Sequence, residues 1–246
     1  MQVELVVFDV AGTTVVDDDH VAQGLRDALL SEGVSIELGE CAGVMGLPKP
    51  VALLALASGK VPTDSLAEVV RRSHAAFVSH MVQHYQSSPS VRAMPGAEST
   101  FRSLHARGAR IALDTGFSRP ILDAILDRLG WHDGVVDVTV ASDEVEAGRP
   151  HPFMIQRAMA LLGVSSSAAV VKVGDTVADM REGLAAGAGA IVGVLSGTGT
   201  RAELELAGAT HVVPDLTALP RLLYGGPRVA EHAPSALRAG AAAHRR

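Results

Sequence analysis

The sequence predicts an α/β fold, a doubly wound parallel sheet with an all-helical domain inserted after the first strand. Short apolar runs alternate with helical patterns, which is typical of βαβ units in a parallel sheet. The runs are continuously apolar, as expected when helices cover both faces of the sheet. Residues 16–92 carry helical patterns and no comparable strand.

The core is assigned to residues 1–15 and 93–223. Its expected strands span 4–8, 110–114, 135–139, 169–173, 190–195 and 210–213. Its expected helices span 96–106, 119–129, 152–162, 177–186 and 201–207. Each strand after the first is followed by a helix or loop that can return the chain to the same edge of the sheet, so the pattern predicts a Rossmann-like core.

The insertion, residues 16–92, is expected to form a helical cap. Its helices are expected at 18–31, 39–44, 49–57 and 65–86, the last with Leu66, Val70, Phe77 and Met81 at helical spacing. A segment inserted there would lie above the carboxyl ends of the strands, where open α/β sheets bind ligands, and could close over the site. Residues 224–246, rich in Gly, Ala, Pro and Arg, are expected to form a flexible tail.

The composition excludes some function classes. The chain has 246 residues, 48% of them hydrophobic, and a net charge of −6 with both signs spread along it. This charge pattern argues against nucleic-acid or anionic-membrane partners. The sequence contains no run long enough to span a membrane and no signal-like start, and Cys41 is its single cysteine. We therefore expect a cytoplasmic protein.

The first candidate site residue is Asp9, at the end of the first strand and before Gly12. A carboxylate in such a turn can attack phosphorus or bind a cation. The alternative is an ordinary turn acid at a strand end.

The second and third candidates each precede a helix. Thr115 and Gly116 follow the second strand and could bind an anion, or Thr115 could simply cap a helix. Arg149, in Ala-Gly-Arg-Pro, could neutralise a phosphate, or it could be a surface ion-pair residue.

The fourth candidate is the acid pair Asp175 and Asp179, which follows the strand at 169–173. If a helix begins by Thr176, two carboxylates four residues apart share one of its faces, and Mg²⁺ would relieve their repulsion. The alternative is a pair of acids favoured by the helix dipole. All four candidates follow strands of one sheet, so they converge on one edge and together supply what phosphoryl transfer needs.

These motifs, over residues 3–223, resemble the haloacid dehalogenase superfamily of phosphohydrolases. Within it the chain is most similar to the phosphonatase (phosphonoacetaldehyde hydrolase) family. Three details carry the likeness: Asp9-Val-Ala-Gly-Thr-Thr14, Arg149 where most of the superfamily has lysine, and the stretch Val171–Met180.

The resemblance implies a role for each site residue. Asp9 would form an aspartyl-phosphate, and Mg²⁺ would be bound by Asp9, the carbonyl of Ala11 and Asp175, with support from Asp179. Thr115, Gly116 and Arg149 would bind the phosphoryl oxygens. Lys49 would form a Schiff base with the substrate aldehyde, and Met45 would line the substrate pocket. Ala11 stands where phosphoester hydrolases have a general acid, which a methyl group cannot replace.

The resemblance is incomplete in the aldehyde pocket. Phosphonatases have a histidine three residues after the lysine, where this chain has Ala52, and a cysteine after the first motif, where it has 17–20 Asp-Asp-Asp-His. We expect cleavage of the C–P bond of phosphonoacetaldehyde or a similar phosphonate. The alternatives are a phosphatase for a small phosphoester metabolite and a non-catalytic binding protein. The resemblance also implies a homodimer formed through the cap.

Overall fold

The computed structural model describes residues 2–132 and 134–225. Its core is a six-stranded sheet in the order β3-β2-β1-β4-β5-β6, and every pair of neighbouring strands is parallel. The strands are β1 (Leu5–Asp9), β2 (Arg110–Thr115), β3 (Val138–Ala141), β4 (Val170–Gly174), β5 (Ala190–Val194) and β6 (His211–Val213). The predicted doubly wound α/β core is confirmed.

The α-helices are α1 (His20–Leu30), α2 (Lys49–Ala57), α3 (Thr63–Ser87), α4 (Ala97–His105), α5 (Arg119–Leu129), α6 (Phe153–Leu162), α7 (Val177–Ala185), α8 (Arg201–Leu206) and α9 (Leu219–Tyr224). A short 3₁₀ helix spans Leu38–Val44. Within the described part of the chain, no helix combines the length and the apolar character that a membrane crossing needs.

Both faces of the sheet are buried, as the apolar strands require. Val6 and Phe8 of β1 belong to one apolar cluster, whereas Leu5 and Val7 belong to another. Successive side chains of a strand point to opposite faces, so the two clusters lie on opposite sides of the sheet. This burial explains why β1 shows no alternation of polar and apolar residues.

Helices α1 to α3 and the 3₁₀ helix lie between β1 and β2 in the chain. The long helix α3 packs against α1 and α2, and also against α5 of the core. Phe77 and Met81 of α3 are fully buried in the same apolar cluster as Ile121 and Ile125 of α5. Phe77 therefore contributes to the apolar core of the protein. The domain boundaries and the cap-mediated homodimer stay predictions.

Most elements begin and end within two residues of the predicted bounds, and two differ by more. The third strand begins at Val138, not at residue 135, because Asp137 turns the chain and its carboxylate accepts from the backbone N–H of Ile111 at 2.6 Å. Val135 and Val136 are loop residues that pack against the apolar core. Their apolar side chains resemble those of a strand in the sequence, which explains the wrong prediction. The last helix, α9, was not predicted and includes Tyr224, the first residue of the predicted tail. Residues 226–246 of that tail lie outside the described residues.

The strand register brings the predicted motifs together. Asp9, the last residue of β1, pairs with Asp114 of β2, and the preceding Phe8 pairs with Val173 of β4. The loops that leave β1, β2 and β4 therefore start at one edge of the sheet. This is the edge at which doubly wound sheets bind their ligands.

Candidate active site

Asp9 lies at this edge with 4% of its surface exposed, and its Oδ1 accepts from Nη1 of the buried Arg149 at 2.6 Å. Burial raises the pKa of Asp9 to about 8; Arg149 opposes that rise, and Asp179 and Asp175 add to it. Arg149 and Lys172 both lower this pKa, but together they do not offset the effect of burial. More positive charge is needed for Asp9 to act as a nucleophile.

Asp179 lies in the first turn of α7 and has two functions. Its Oδ2 accepts from the backbone N–H of Thr176 at 3.2 Å, which caps the helix. Its Oδ1 lies 3.2 Å from Arg149 Nη1 and 3.2 Å from Lys172 Nζ. Asp179 therefore both caps α7 and faces two buried cations.

Three carboxylates form a group that could hold a metal ion. Asp9, Asp114 and Asp179 each offer an oxygen within 4.8 Å of the others, and all three residues are buried. Oδ2 of Asp114 has no hydrogen-bond donor among the residues that the structure describes. Buried, incompletely satisfied carboxylate oxygens are the ligand type that a hard divalent cation prefers.

Asp175 precedes Thr176, the N-cap of α7, so it does not lie on the helix as predicted; it is fully buried beside this group but differs in its contacts. Its two oxygens accept hydrogen bonds at 2.8 Å from Thr13 Oγ1 and at 2.8 Å from the backbone N–H of Thr198. Burial raises its pKa to about 6, with Asp179 adding to the rise and the two hydrogen bonds opposing it. The metal-binding role of Asp175 stays a prediction.

Sequence reasoning gave no role to Asp114, Lys172 and Glu182, all of which are fully buried at the site. Lys172 Nζ donates to Asp114 Oδ1 and lies 2.9 Å from Glu182 Oε2. A signal was present for two of them. Lys172 is a charged residue inside the otherwise apolar β4, and Glu182 follows Asp179 by three residues on the same face of α7.

Seven of the nine predicted site residues line one small cavity, and Asp175 and Asp179 are not part of its walls. Its volume is about 20 Å³, and its walls include Asp9, Ala11, Met45, Lys49, Thr115, Gly116, Phe117 and Arg149. Such a volume holds about one or two water molecules. The site is thus closed around a space that a substrate could enter only after part of the wall moves.

The loop before α2 forms that wall. An added Cβ at Gly116 would lie 2.5 Å from the carbonyl oxygen of Leu47, and one at Gly46 would lie 2.2 Å from Thr176 Oγ1. Gly46 also has a φ of 79°, a conformation that glycine adopts without strain. Residues 46 and 47 therefore rest directly on the core, and two glycines permit that approach.

Lys49, the first residue of α2, projects into the same cavity with 3% of its surface exposed. Its Nζ donates to the carbonyl of Leu47 at 3.2 Å and lies 5.1 Å from the centre of the Phe117 ring. Burial lowers the pKa of Lys49 to about 8, although Asp9 and Asp17 oppose the shift. A substantial fraction of this amine is therefore neutral, and able to act as a nucleophile, near neutral pH.

A family model matches this architecture. Residues 3–187 match the model of haloacid dehalogenase-like hydrolases. This matched range contains Asp9, Arg149 and the Asp175–Asp179 pair. The chain belongs to the haloacid dehalogenase-like hydrolase family. It is accordingly an enzyme of the hydrolase class, and the predicted resemblance is confirmed.

Individual relatives of this haloacid dehalogenase-like hydrolase agree with that assignment. It is 31% identical over 212 residues to a phosphonoacetaldehyde hydrolase of Bacillus cereus, an alignment that covers 80% of this chain and 78% of the relative. A phosphonoacetaldehyde hydrolase-like protein of Oleispira antarctica has a similar structure, with a TM-score of 0.75 and 21% identity over 91% of this chain and 94% of the other. A hydrolase of the same family from Deinococcus radiodurans, solved with bound phosphate and sodium, has a TM-score of 0.64 and 25% identity over 90% and 95%.

Proposed function

We propose that this enzyme is a Mg²⁺-dependent phosphonatase that cleaves the C–P bond of phosphonoacetaldehyde or a closely similar phosphonate. The observation that carries the proposal is Lys49, a buried lysine with a pKa of about 8 in the cavity that also contains Asp9. A phosphoester phosphatase has no need of a nucleophilic amine. Relatives that are 31% identical over most of the chain and are called phosphonoacetaldehyde hydrolases support the same reaction.

In this proposal Lys49 activates the leaving group. Its neutral amine adds to the aldehyde carbon and water leaves, which gives a protonated imine. Carbon alone is a poor leaving group, but the electron pair of the C–P bond can pass into this imine and form an enamine. Phe117, packed beneath Nζ, places an apolar surface and an attractive ring face next to the cation that forms.

Asp9 supplies the second half of the reaction. Its carboxylate attacks phosphorus as the C–P bond breaks, which leaves an aspartyl-phosphate and the enamine on Lys49. Water then hydrolyses the acyl phosphate to phosphate and free Asp9. Protonation of the enamine carbon and hydrolysis of the resulting imine release acetaldehyde and the free amine. Arg149, with Thr115 and Gly116 beside it, binds the phosphoryl oxygens.

A divalent cation fits the residues present. Asp9 needs positive charge beyond Arg149 and Lys172 to remain ionised, and the fully buried carboxylates of Asp175 and Asp179 close to it supply hard oxygen atoms. We propose Asp9, the carbonyl of Ala11 and Asp175 as its ligands, with Asp179 in support. Mg²⁺ bound there would neutralise phosphoryl charge during the attack.

The alternative is a phosphatase for a small phosphoester, in which Lys49 binds the substrate and forms no bond to it. One observation favours it: Ala52, at the position of the phosphonatase histidine, is fully buried and offers no proton-transfer group. All the core residues would keep their roles.

Imine trapping separates the two functions. The protein is incubated with Mg²⁺ and phosphonoacetaldehyde, borohydride is added, and the adduct is located by peptide mapping while phosphate release is measured. We expect phosphate release and a reduced adduct on Lys49. Phosphate release without an adduct on Lys49 would eliminate the Schiff base, and turnover of phosphoesters alone would establish the alternative.

Lys49→Arg is the matched variant for this experiment, because it keeps a cation and loses the nucleophilic amine. We expect loss of phosphonoacetaldehyde cleavage by about a thousandfold or more, with little effect on any phosphoester hydrolysis. Equal losses on both substrates would show that Lys49 only binds substrate.

A further inference from the structure

Four buried side chains form a closed ring of ion pairs behind the candidate active site. Arg149 Nε donates to Glu182 Oε2 at 2.9 Å, and Lys172 Nζ lies 2.9 Å from the same oxygen. On the other side, Arg149 Nη2 and Lys172 Nζ both donate to Oδ1 of Asp114. Each of the four side chains is 0% exposed.

The ring uses two of the three nitrogens of the guanidinium group and leaves the third for the site. Nε is bound by Glu182, and Nη2 is bound by Asp114, whose backbone carbonyl also accepts from Nη2 at 2.9 Å. Nη1 lies outside the ring and faces the site, 2.6 Å from Asp9 Oδ1 and 3.2 Å from Asp179 Oδ1. Because the guanidinium is planar and rigid, two fixed nitrogens set both its plane and the direction of the third.

Stability alone does not account for this ring. Two cations and two carboxylates removed from water carry a large desolvation penalty, and apolar side chains of the same volume stabilise a core at least as well. A surplus cation would also balance the acids without any fixed orientation. The ring's distinctive property is that it orients one planar group.

We propose that Glu182, together with Lys172 and Asp114, is a positioning residue that fixes the plane of Arg149 so that Nη1 reaches Asp9 and the phosphoryl group. The inference rests on the proposed role of Arg149 in binding the phosphoryl group. It also accounts for arginine at this position. A lysine ammonium also has several donors, but it has no rigid plane, so contacts with Glu182 and Asp114 would not fix the direction of a further N–H toward Asp9.

The test compares two substitutions of Glu182, one that changes the charge of its side chain and one that changes the position of its oxygen atoms. Glu182→Gln keeps an acceptor oxygen at the same distance but removes the charge, whereas Glu182→Asp keeps the charge but withdraws the oxygen by about 1.5 Å, one C–C bond. The probe is orthovanadate binding in the presence of Mg²⁺, measured by calorimetry, with kcat and KM as second readouts. Thermal melts establish that each variant is folded.

We expect Glu182→Gln to bind orthovanadate within about threefold of the wild-type protein, and Glu182→Asp to bind about tenfold or more weakly, with kcat lowered more than KM is raised. If Asp is tolerated better than Gln, the ring supplies only charge and the inference is wrong. The matched control is Glu205, paired with Arg201 and 55% exposed, where both substitutions should leave affinity and kcat unchanged.

The same variants in an Arg149→Lys background give the decisive comparison. Lysine has no Nε–H for Glu182 to hold, so Glu182→Asp should cost less than about threefold there. Equal losses in the two backgrounds would overturn the inference. Orthovanadate reports on the phosphoryl subsite and not on the leaving group. Failure to cleave phosphonoacetaldehyde with this binding pattern intact would therefore overturn only the proposed reaction.

Discussion

Lys49 illustrates how burial alone changes the chemistry of a single residue. Its ammonium group has one hydrogen-bond acceptor among the described residues, the carbonyl of Leu47, and it lies over an apolar ring. Desolvation disfavours the charged form and lowers the pKa from 10.5 to about 8. At pH 7 such an amine is ~10% neutral, about 300 times more than an amine with a pKa of 10.5.

The first prediction concerns the pH dependence of imine formation. Because only the neutral amine adds to an aldehyde, borohydride trapping on Lys49 should increase with pH and level off above about 8. The measurement is adduct yield by peptide mapping from pH 6 to 10 without added metal. Lys60, which lies at the surface and pairs with Glu40, is the internal reference and should be trapped far less at pH 8. A yield on Lys49 that keeps rising to pH 10 would contradict the predicted shift.

The second prediction concerns Ala11, which lines the cavity beside Asp9. Ala11→Asp introduces a carboxyl group two residues after Asp9, the proposed nucleophile, where it can protonate a leaving alcohol. We expect hydrolysis of a small phosphoester to increase about tenfold or more, while cleavage of phosphonoacetaldehyde falls. Kinetics on both substrates test this, with Ala11→Asn as the isosteric control. An unchanged phosphoester rate, or the same gain with asparagine, would contradict the inference that Ala11 occupies the position of a general acid.

At the scale of elements, the loop from residue 46 to 48 decides whether the site is closed. This loop leads directly into α2, whose first residue is Lys49. A movement of the loop and helix would therefore carry Lys49 with it. Its close approach to the core depends on the absence of a side chain at Gly116, where the nearest atom to an added Cβ is a backbone oxygen and cannot rotate away. In the proposed reaction, closure would keep bulk water away from the reacting groups while the C–P bond breaks.

The third prediction tests this contact. Gly116→Ala should hold the loop away from the core and lower kcat/KM by about tenfold or more, since a sub-ångström to ångström misplacement of catalytic groups is costly. The measurement is steady-state kinetics, with thermal melts to verify folding. Gly39→Ala is the control, because an added Cβ there meets nothing within 4 Å. Unchanged kinetics in Gly116→Ala would indicate that this closed arrangement is not the reactive one.

At the scale of the whole molecule, the site concentrates negative charge in the interior. The fully buried acids Asp114, Asp175, Asp179 and Glu182 surround Arg149 and Lys172, with the nearly buried Asp9 beside them. Burial keeps the pKa of Asp9 at about 8 and that of Asp175 at about 6, which is the response of carboxyls that lack sufficient counter-charge. A bound cation should therefore couple to the stability of the fold.

The fourth prediction follows from that coupling. Adding Mg²⁺ at about 100 times its Kd to chelator-treated protein should stabilise the folded state by about 2.7 kcal/mol, a rise in Tm of several degrees. Asp175→Asn should remove most of this rise, whereas Asp215→Asn, at a half-buried capping position, should keep it. Scanning calorimetry measures both. An equal rise in Tm for Asp175→Asn would show that Asp175 is not a ligand.

Local sequence determined the sheet, most of its helices and the positions of the motifs. Apolar runs long enough for buried strands, alternating with helical periods, admit few other folds, and residues at the ends of parallel strands meet at one edge for geometric reasons. The third strand was misplaced because Val135 and Val136 look like strand residues, while the carboxylate of Asp137 ends the loop through a contact with Ile111. The short helix α9 was missed because its six residues carry too little periodicity.

The sequence by itself indicated Asp9, Arg149 and the acids Asp175 and Asp179 as candidates, because each lies in a short local pattern. Only the tertiary structure decided which groups surround them. Asp114, Lys172 and Glu182 come from β2, β4 and α7, and nothing local to them indicates that they form one ring with Arg149. The lowered pKa of Lys49 is likewise a product of folding, since it comes from burial between the insert and the core. Burial and charge pairing depend on distances between segments that are remote in sequence, and those distances exist only in the folded chain.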